Sequence, residues 1–360
     1  MEDTKIFQPR ITAEETYRNR KIGIAKLGML LAWISAITAI LMGVFNSSAS
    51  TLILRKMTGV NSVMCIAIIA ITILGINDII CGIFCFIFNA GHGKGIKEFK
   101  RMVSFKVSWM MLLAAVASGP LATGLQMASY NLCGITYTTA VLGISPVLTA
   151  ILGRIIFKEH VSKRAYMGII LVFAGVLVSC FLGRPDTAGS NFTIGIILAC
   201  ICPIGFSLEG MFSTYAGDLI DPLEGCAFYR SICSGVMGIS AMVILAGATG
   251  NLAVFTGTIR IIFTSPLILI LVILMALCAA LSYSTSYVSF NKCGPTRCMA
   301  IVYTMPVWSI PLGLAAVKLL PGIYEYEVTA PAIAGALVVA AGVILIVSNP
   351  SELFKLRDVN

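Results

Sequence analysis

The chain has 360 residues, 58% of them hydrophobic and only 11% charged. Soluble domains carry about 25% charged residues, so this composition excludes a water-soluble body and fits a lipid bilayer as solvent. The net charge of +9 does not point to nucleic acid, because the Lys and Arg residues sit in short connections between apolar runs without interleaved aromatics for base stacking.

In chain order, residues 1–26 form a polar tail with Lys5, Arg10, Arg18, Arg20, Lys21, Lys26 and four acids. The apolar run from Leu27 is longer than the core of a secretory signal and reads as a first span. A span needs about 20 apolar residues at a rise of about 1.5 Å each. That rule places spans near 27–49, 63–88, 107–128, 133–157, 165–182, 192–214, 223–247, 266–289, 296–318 and 328–348, with a second tail at 349–360. With the N-terminus in the cytosol, 20 of the 25 basic residues fall on the cytosolic side and five (Arg55, Lys56, Arg184, Arg260, Lys318) on the other. This split supports the count of ten and cytosolic termini. The stretch at 91–95 (GHGKG) lacks the phosphate-binding spacing and a preceding strand, so it reads as a flexible loop. His92 and His160 lie in cytosolic loops with no catalytic partners nearby. Most of the twelve cysteines lie within apolar runs, where Cys packs as a small hydrophobe. The expectation is no disulfide, no metal and no other cofactor.

The chain also repeats itself at an offset of 160. Residues 129–153 (SYNLCGITYTTAVLGISPVLTAILG) and 289–313 (SFNKCGPTRCMAIVYTMPVWSIPLG) match at ten of 25 positions. Among the matches are an Asn-x-Cys-Gly-x-Thr motif and a proline ten residues beyond its threonine, Pro146 and Pro306. Gly168 and Gly175 match Gly335 and Gly342 after a seven-residue insertion. Equivalent turns carry opposite charge bias. The turn at Gly134 is uncharged while that at Gly294 has Lys292 and Arg297; the hairpin at 158–164 is basic while that near 318–328 carries Glu325 and Glu327. Two five-span halves, 27–182 and 192–348, inserted in opposite senses, account for this. Such inverted repeats are the usual build of secondary transporters, with a site near the midplane between halves.

The stretch 145–176 resembles the EamA-type drug/metabolite transporter superfamily, in which a proline in the fourth helix is followed by a glutamate and a paired-glycine fifth helix. Pro146, Glu159, Gly168 and Gly175 fall on those features; Pro306, Gly335 and Gly342 do so in the second half, with Glu325 or Glu327 in place of the glutamate. The start of the seventh span, Phe228-Tyr229-Arg230, is similar to the family's Phe-Tyr-Arg, while the second span at 61–66 lacks the arginine. The resemblance implies an all-α membrane protein that moves small metabolites, amino acids or drug-like solutes by alternating access, without ATP. Export coupled to protons is an expectation from the resemblance together with Asp78; short loops and absent targeting signals favour the cell (inner) membrane, and a homodimeric assembly is a further expectation. A channel or a membrane-embedded enzyme is the alternative; the first would need a continuous polar pore face and the second a cluster of catalytic polar residues.

Candidate mechanistic residues follow from the cost of charge in a membrane, at least about 2.5 kcal/mol for Asp at a helix centre. Asp78 lies mid-depth in the second span and Glu209 in the sixth, and either could bind a proton or a cationic group of a substrate; the alternative is a buried acid with no transport role. Asn46 heads a polar run with Ser47, Ser48, Ser50 and Thr51 that favours close helix packing over substrate contact. Gln126, Tyr283 and Tyr287 are candidate cavity linings, the two tyrosines one turn apart on one face. Arg230 is expected to snorkel to the cytosolic surface, with binding of an anionic group as the alternative, and Trp109 to sit in the cytosolic interfacial belt. Pro146 and Pro306 are the hinge candidates, since proline opens the helical hydrogen-bond ladder.

Overall fold

The computed structural model describes residues 13–57, 62–94, 96–157, 163–184, 190–217 and 219–346. Residues 1–12 of the N-terminal tail, Glu159, His160 and the tail at 349–360 lie outside them. Helices and turns account for the described residues, with no strand among them. In order they are α1 (Ala13–Lys56), α2 (Val63–Gly91), α3 (Ile96–Ser104), α4 (Ser108–Cys133), α5 (Ile135–Leu142), α6 (Ser145–Phe157), α7 (Lys163–Leu177, extended by a π-helical turn Val178–Leu182), α8 (Ser190–Gly217), α9 (Pro222–Ala248), α10 (Leu252–Thr264), α11 (Pro266–Cys293), α12 (Pro295–Val302), α13 (Met305–Leu319) and α14 (Ala330–Ile346). Eight stretches are long and apolar enough to cross a membrane, and shorter apolar helices at Tyr166–Leu182 and Ala330–Leu345 occupy the places of the fifth and tenth expected spans. The protein is an all-α polytopic membrane protein.

Several boundaries differ from the sequence reading, each for a visible reason. Helix α1 begins at Ala13 and its 44 residues extend about 66 Å, well beyond the hydrocarbon, because nothing in the basic segment before Leu27 stops a helix. The loop at 89–106 contains α3, whose Phe99 packs edge-on against Phe86 (5.8 Å) and Phe228 (4.9 Å) while Lys97, Lys100 and Arg101 face outward. The connection between the seventh and eighth spans contains α10. At 13 residues it is too short to span, but its buried Val254, Phe255, Thr258 and Ile262 form one apolar stripe. A Cβ on its Gly257 would stand 2.4 Å from the Met57 side chain, so α10 lies over the end of α1.

The repeated motif folds twice in the same way. Gly134 (φ 91°) and Gly294 (φ 86°) end α4 and α11 in a conformation that only glycine adopts freely, and each N–H returns to the carbonyl four residues back, Tyr130 or Phe290. Ser129 Oγ donates to the Gly195 carbonyl (2.9 Å) and Ser289 Oγ to the Gly28 carbonyl (2.8 Å), which locks α4 to α8 and α11 to α1. An eight-residue helix follows in each copy, then a turn, then α6 or α13. Pro146 and Pro306 are the second residues of those last helices, where a missing N–H costs nothing. The helix is interrupted just before each proline, at 143–144 and 303–304.

Two pairs of helices remote in sequence also meet closely. In α7 and α14, Gly168 faces Gly342 and Gly175 faces Gly335, so the two run antiparallel; a Cβ on Gly335 would come 2.6 Å from the Gly175 carbonyl oxygen, and one on Gly175 2.7 Å from that of Gly335. In α2 and α9, Gly75 and Gly235 make the same kind of approach, and a Cβ on Gly235 would meet the Gly75 carbonyl at 2.7 Å. Small residues let backbones close in where lipid provides no hydrophobic drive between helices.

Candidate functional site

The bundle's centre is built around Arg230, eight residues into α9 and therefore about 12 Å from its start. Its side chain is 2% exposed. The guanidinium donates from Nη1 to Asp78 Oδ2 (3.3 Å) and Ser234 Oγ (3.4 Å), from Nη2 to Thr123 Oγ1 (2.8 Å), and from Nε to Glu209 Oε1 (3.0 Å). One of its faces lies over the Tyr283 ring, 3.8 Å from the centroid, a cation–π contact. The expectation that Arg230 snorkels is thus corrected. Drawing its head to the surface would strand two buried carboxylates in a low-dielectric interior, and a buried charge is tolerated only when it is paired.

The local backbone explains how the arginine is aimed. Residues Cys226–Cys233 of α9 and Ala117–Thr123 of α4 are π-helical, a wider winding often found at functional sites. In α4 this stretch holds Pro120, whose missing N–H the looser turn absorbs. Thr123 Oγ1 donates to the Ser118 carbonyl (2.7 Å) while accepting from Arg230. Gly119 makes room beside it, since a Cβ there would fall 1.9 Å from Ser234 Oγ. The sequence reading named neither Thr123 nor Ser234; Pro120 in an apolar run was the available signal.

The two acids differ in their surroundings. Asp78, on α2, also accepts from Ser234 Oγ (2.8 Å), Asn77 Nδ2 (3.0 Å) and Tyr283 Oη (3.3 Å), and its side chain is 1% exposed. It stands behind the arginine. Glu209, on α8, accepts from Tyr287 Oη at 3.1 Å, is 9% exposed, and borders a cavity of about 60 Å³. Gln126, Tyr283 and Tyr287 line the same cavity, along with Phe206, Phe290 and Tyr303. Gln126 is held by its bond to Tyr130 Oη (2.5 Å). Asp78, Glu209, Gln126, Tyr283 and Tyr287 are therefore brought together. Asn46 is not: it donates to the Ala70 carbonyl (3.2 Å) and accepts from Asn131 Nδ2 (3.3 Å), tying α1 to α2 and α4.

The two ends of the bundle are tied by polar contacts between the first and second halves of the chain. At one end Lys94, after α2, pairs with Asp221, before α9. At the other, Arg55 donates to the Gly322 carbonyl (2.6 Å) and lies 3.8 Å from Glu325, while Lys56 donates to Ser265 Oγ (2.5 Å). Trp109 is 69% exposed near the Lys94 end.

Residues 26–181 match the EamA-like transporter family. The chain is 25% identical to Protein LicB of Haemophilus influenzae over 221 residues, which make up 61% of this chain and 71% of that protein. Over 59 residues it is 41% identical to the Uncharacterized transporter YyaM of Bacillus subtilis, a stretch covering 15% of this chain and 19% of that protein.

Proposed function

We propose that this membrane transporter of the drug/metabolite type, whose residues 26–181 are an EamA-like transporter domain, is a secondary carrier that moves a small solute by alternating access. The family points to transport of a small molecule across a lipid bilayer without enzymatic change. The observation that carries the finer reading is the buried Arg230–Asp78–Glu209 cluster on a central cavity, walled by helices from both parts of the chain. Charge at that depth is costly and marks solute or ion pathways.

Two halves of opposite insertion, 27–182 and 192–348, fit the antiparallel meeting of α7 with α14 and of α2 with α9. Rocking of one half against the other would open the cavity first to one face and then to the other. The interruptions before Pro146 and Pro306 are the hinge positions in this scheme, and the ties at Lys94–Asp221 and Arg55–Gly322 are the contacts that must break in turn. Export, proton coupling through the two acids, cytosolic termini in the cell (inner) membrane and a homodimer complete the proposal.

Two measurements test it. Single cysteines beside Gly134 and Gly294, in a background cleared of native cysteines, should label from opposite sides of sealed vesicles; labelling from one side overturns the inverted halves. Purified protein in proteoliposomes should show saturable uptake and counterflow, whereas non-saturating flux without counterflow indicates a channel.

A further inference from the structure

Asp78, Glu209 and Arg230 together carry two acidic groups against one guanidinium. If all three are ionised the cluster is left with one negative charge inside the bundle. A net charge there is unfavourable by several kcal/mol unless a partner supplies the opposite sign. The partner's sign, its size and the atom it meets can all be read from the geometry.

The guanidinium is not free to receive an anion. Four of its five N–H groups already donate, to Glu209, Asp78, Ser234 and Thr123, and one face lies over the Tyr283 ring. Carboxylates and phosphates are held by two parallel N–H groups of a forked edge, and no such pair is left here beside the bonds to Glu209, Asp78, Ser234 and Thr123. Asp78 is equally spent, with Arg230, Ser234, Asn77 and Tyr283 around it and no place on the cavity wall. Glu209 is the acid on that wall. The same wall carries the paired Arg230 and the rings of Tyr283, Tyr287, Phe290, Phe206 and Tyr303, with Tyr287 and Phe290 centroids 5.9 Å apart and those of Phe206 and Tyr303 6.0 Å apart. A carboxylate set among aromatic rings is the chemistry that holds an ammonium ion, by ion pairing and by cation–π attraction.

We propose that the central cavity binds the ammonium head of a small organic cation, with Glu209 as its counter-ion. This deepens the carrier reading and rests on it. The cavity's volume of about 60 Å³ corresponds to about five water-sized positions, room for a nitrogen and its immediate substituents. The cation shares Glu209 with Arg230 Nε and Tyr287 Oη, while Asp78 keeps the guanidinium in place beneath.

The test is a thermal-shift titration of the purified full chain in detergent with methylammonium, tetramethylammonium, acetate and acetamide, small probes of different charge whose two cations bracket the other two in size. At least one of the two cations should raise Tm saturably, and acetate and acetamide should not. E209Q should weaken that cation's apparent affinity at least tenfold, and E209D should stay within tenfold of the wild type. A saturable shift from acetate, from acetamide, or from neither cation overturns the proposal, and so does E209Q with unchanged affinity. Should the Gln variant not fold, the charge series on the wild-type protein still decides. Counterflow separates the two readings. Cation binding without counterflow leaves this site standing and removes the carrier, and counterflow of a neutral or anionic solute without cation binding does the reverse.

Discussion

Replacing Arg230 by Met removes the guanidinium while keeping most of the side-chain volume, and its cost can be worked out from the contacts. Breaking a buried ion pair by removing one partner costs about 3–5 kcal/mol, because the other charge is left uncompensated. Here one arginine serves two acids, at 3.3 Å and 3.0 Å, but the loss is not doubled. Asp78 retains Ser234, Asn77 and Tyr283 as donors, so most of the penalty falls on Glu209, which retains the Tyr287 hydroxyl. R230M should therefore lose about 3–5 kcal/mol. The double variant R230M/E209Q should regain about 1–3 kcal/mol, and R230M/D78N should regain less. Denaturant unfolding in detergent, followed by helical circular dichroism, measures all three. A loss below about 1 kcal/mol for R230M, the scale of an exposed pair, would refute the buried pairing. Better rescue by D78N than by E209Q would refute the assignment of Glu209 as the less supported acid.

Other expectations follow from single contacts. T123V keeps the shape but removes the acceptor for Arg230 Nη2 at 2.8 Å, and the same unfolding assay should show a loss of about 1.5–3 kcal/mol. G335V drives a side chain into the Gly175 carbonyl, 2.6 Å from where its Cβ would stand, and should cost about 1–3 kcal/mol or more. G23A in α1, with nothing within 4 Å of the added carbon, should instead leave stability unchanged or raise it by about 0.5–1 kcal/mol. Lys94 and Asp221 are 30% and 36% exposed, so their pairing is worth no more than about 1 kcal/mol. K94A should accordingly change counterflow rates by less than about fivefold, and a larger change would make that tie a dominant gate.

The fold was legible wherever one local property decided it. Runs of apolar residues of bilayer length set the eight long helices, and the Asn-x-Cys-Gly-x-Thr repeat marked the two glycine breaks, because a positive φ at Gly134 and Gly294 is a requirement of the backbone itself. Helices α3 and α10 escaped for the complementary reason. Each is too short to span, and each is held by residues remote in sequence, Phe86 and Phe228 for one and Met57 for the other. The prolines were legible in part, as breaks in the helix at 143–144 and 303–304. Pro146 and Pro306 sit where a helix starts, and a sequence shows only that an apolar stretch contains proline, not whether its N–H would have had a partner.

The site shows what reading charges one at a time leaves out. Asp78, Glu209 and Arg230 were each visible within an apolar run, and each alone has an inexpensive resolution: a protonated acid for the first two, a snorkelling side chain for the third. Taken together they have a better one. Every ionised group that remains at depth lowers the cost of keeping an opposite charge beside it, so two acids and an arginine in separate spans favour meeting over dispersing. Once they meet, the surplus acid becomes the informative feature. A neutral pair would close the centre of the bundle on itself, whereas two carboxylates on one guanidinium leave the group on the cavity wall with attraction to spare for a solute.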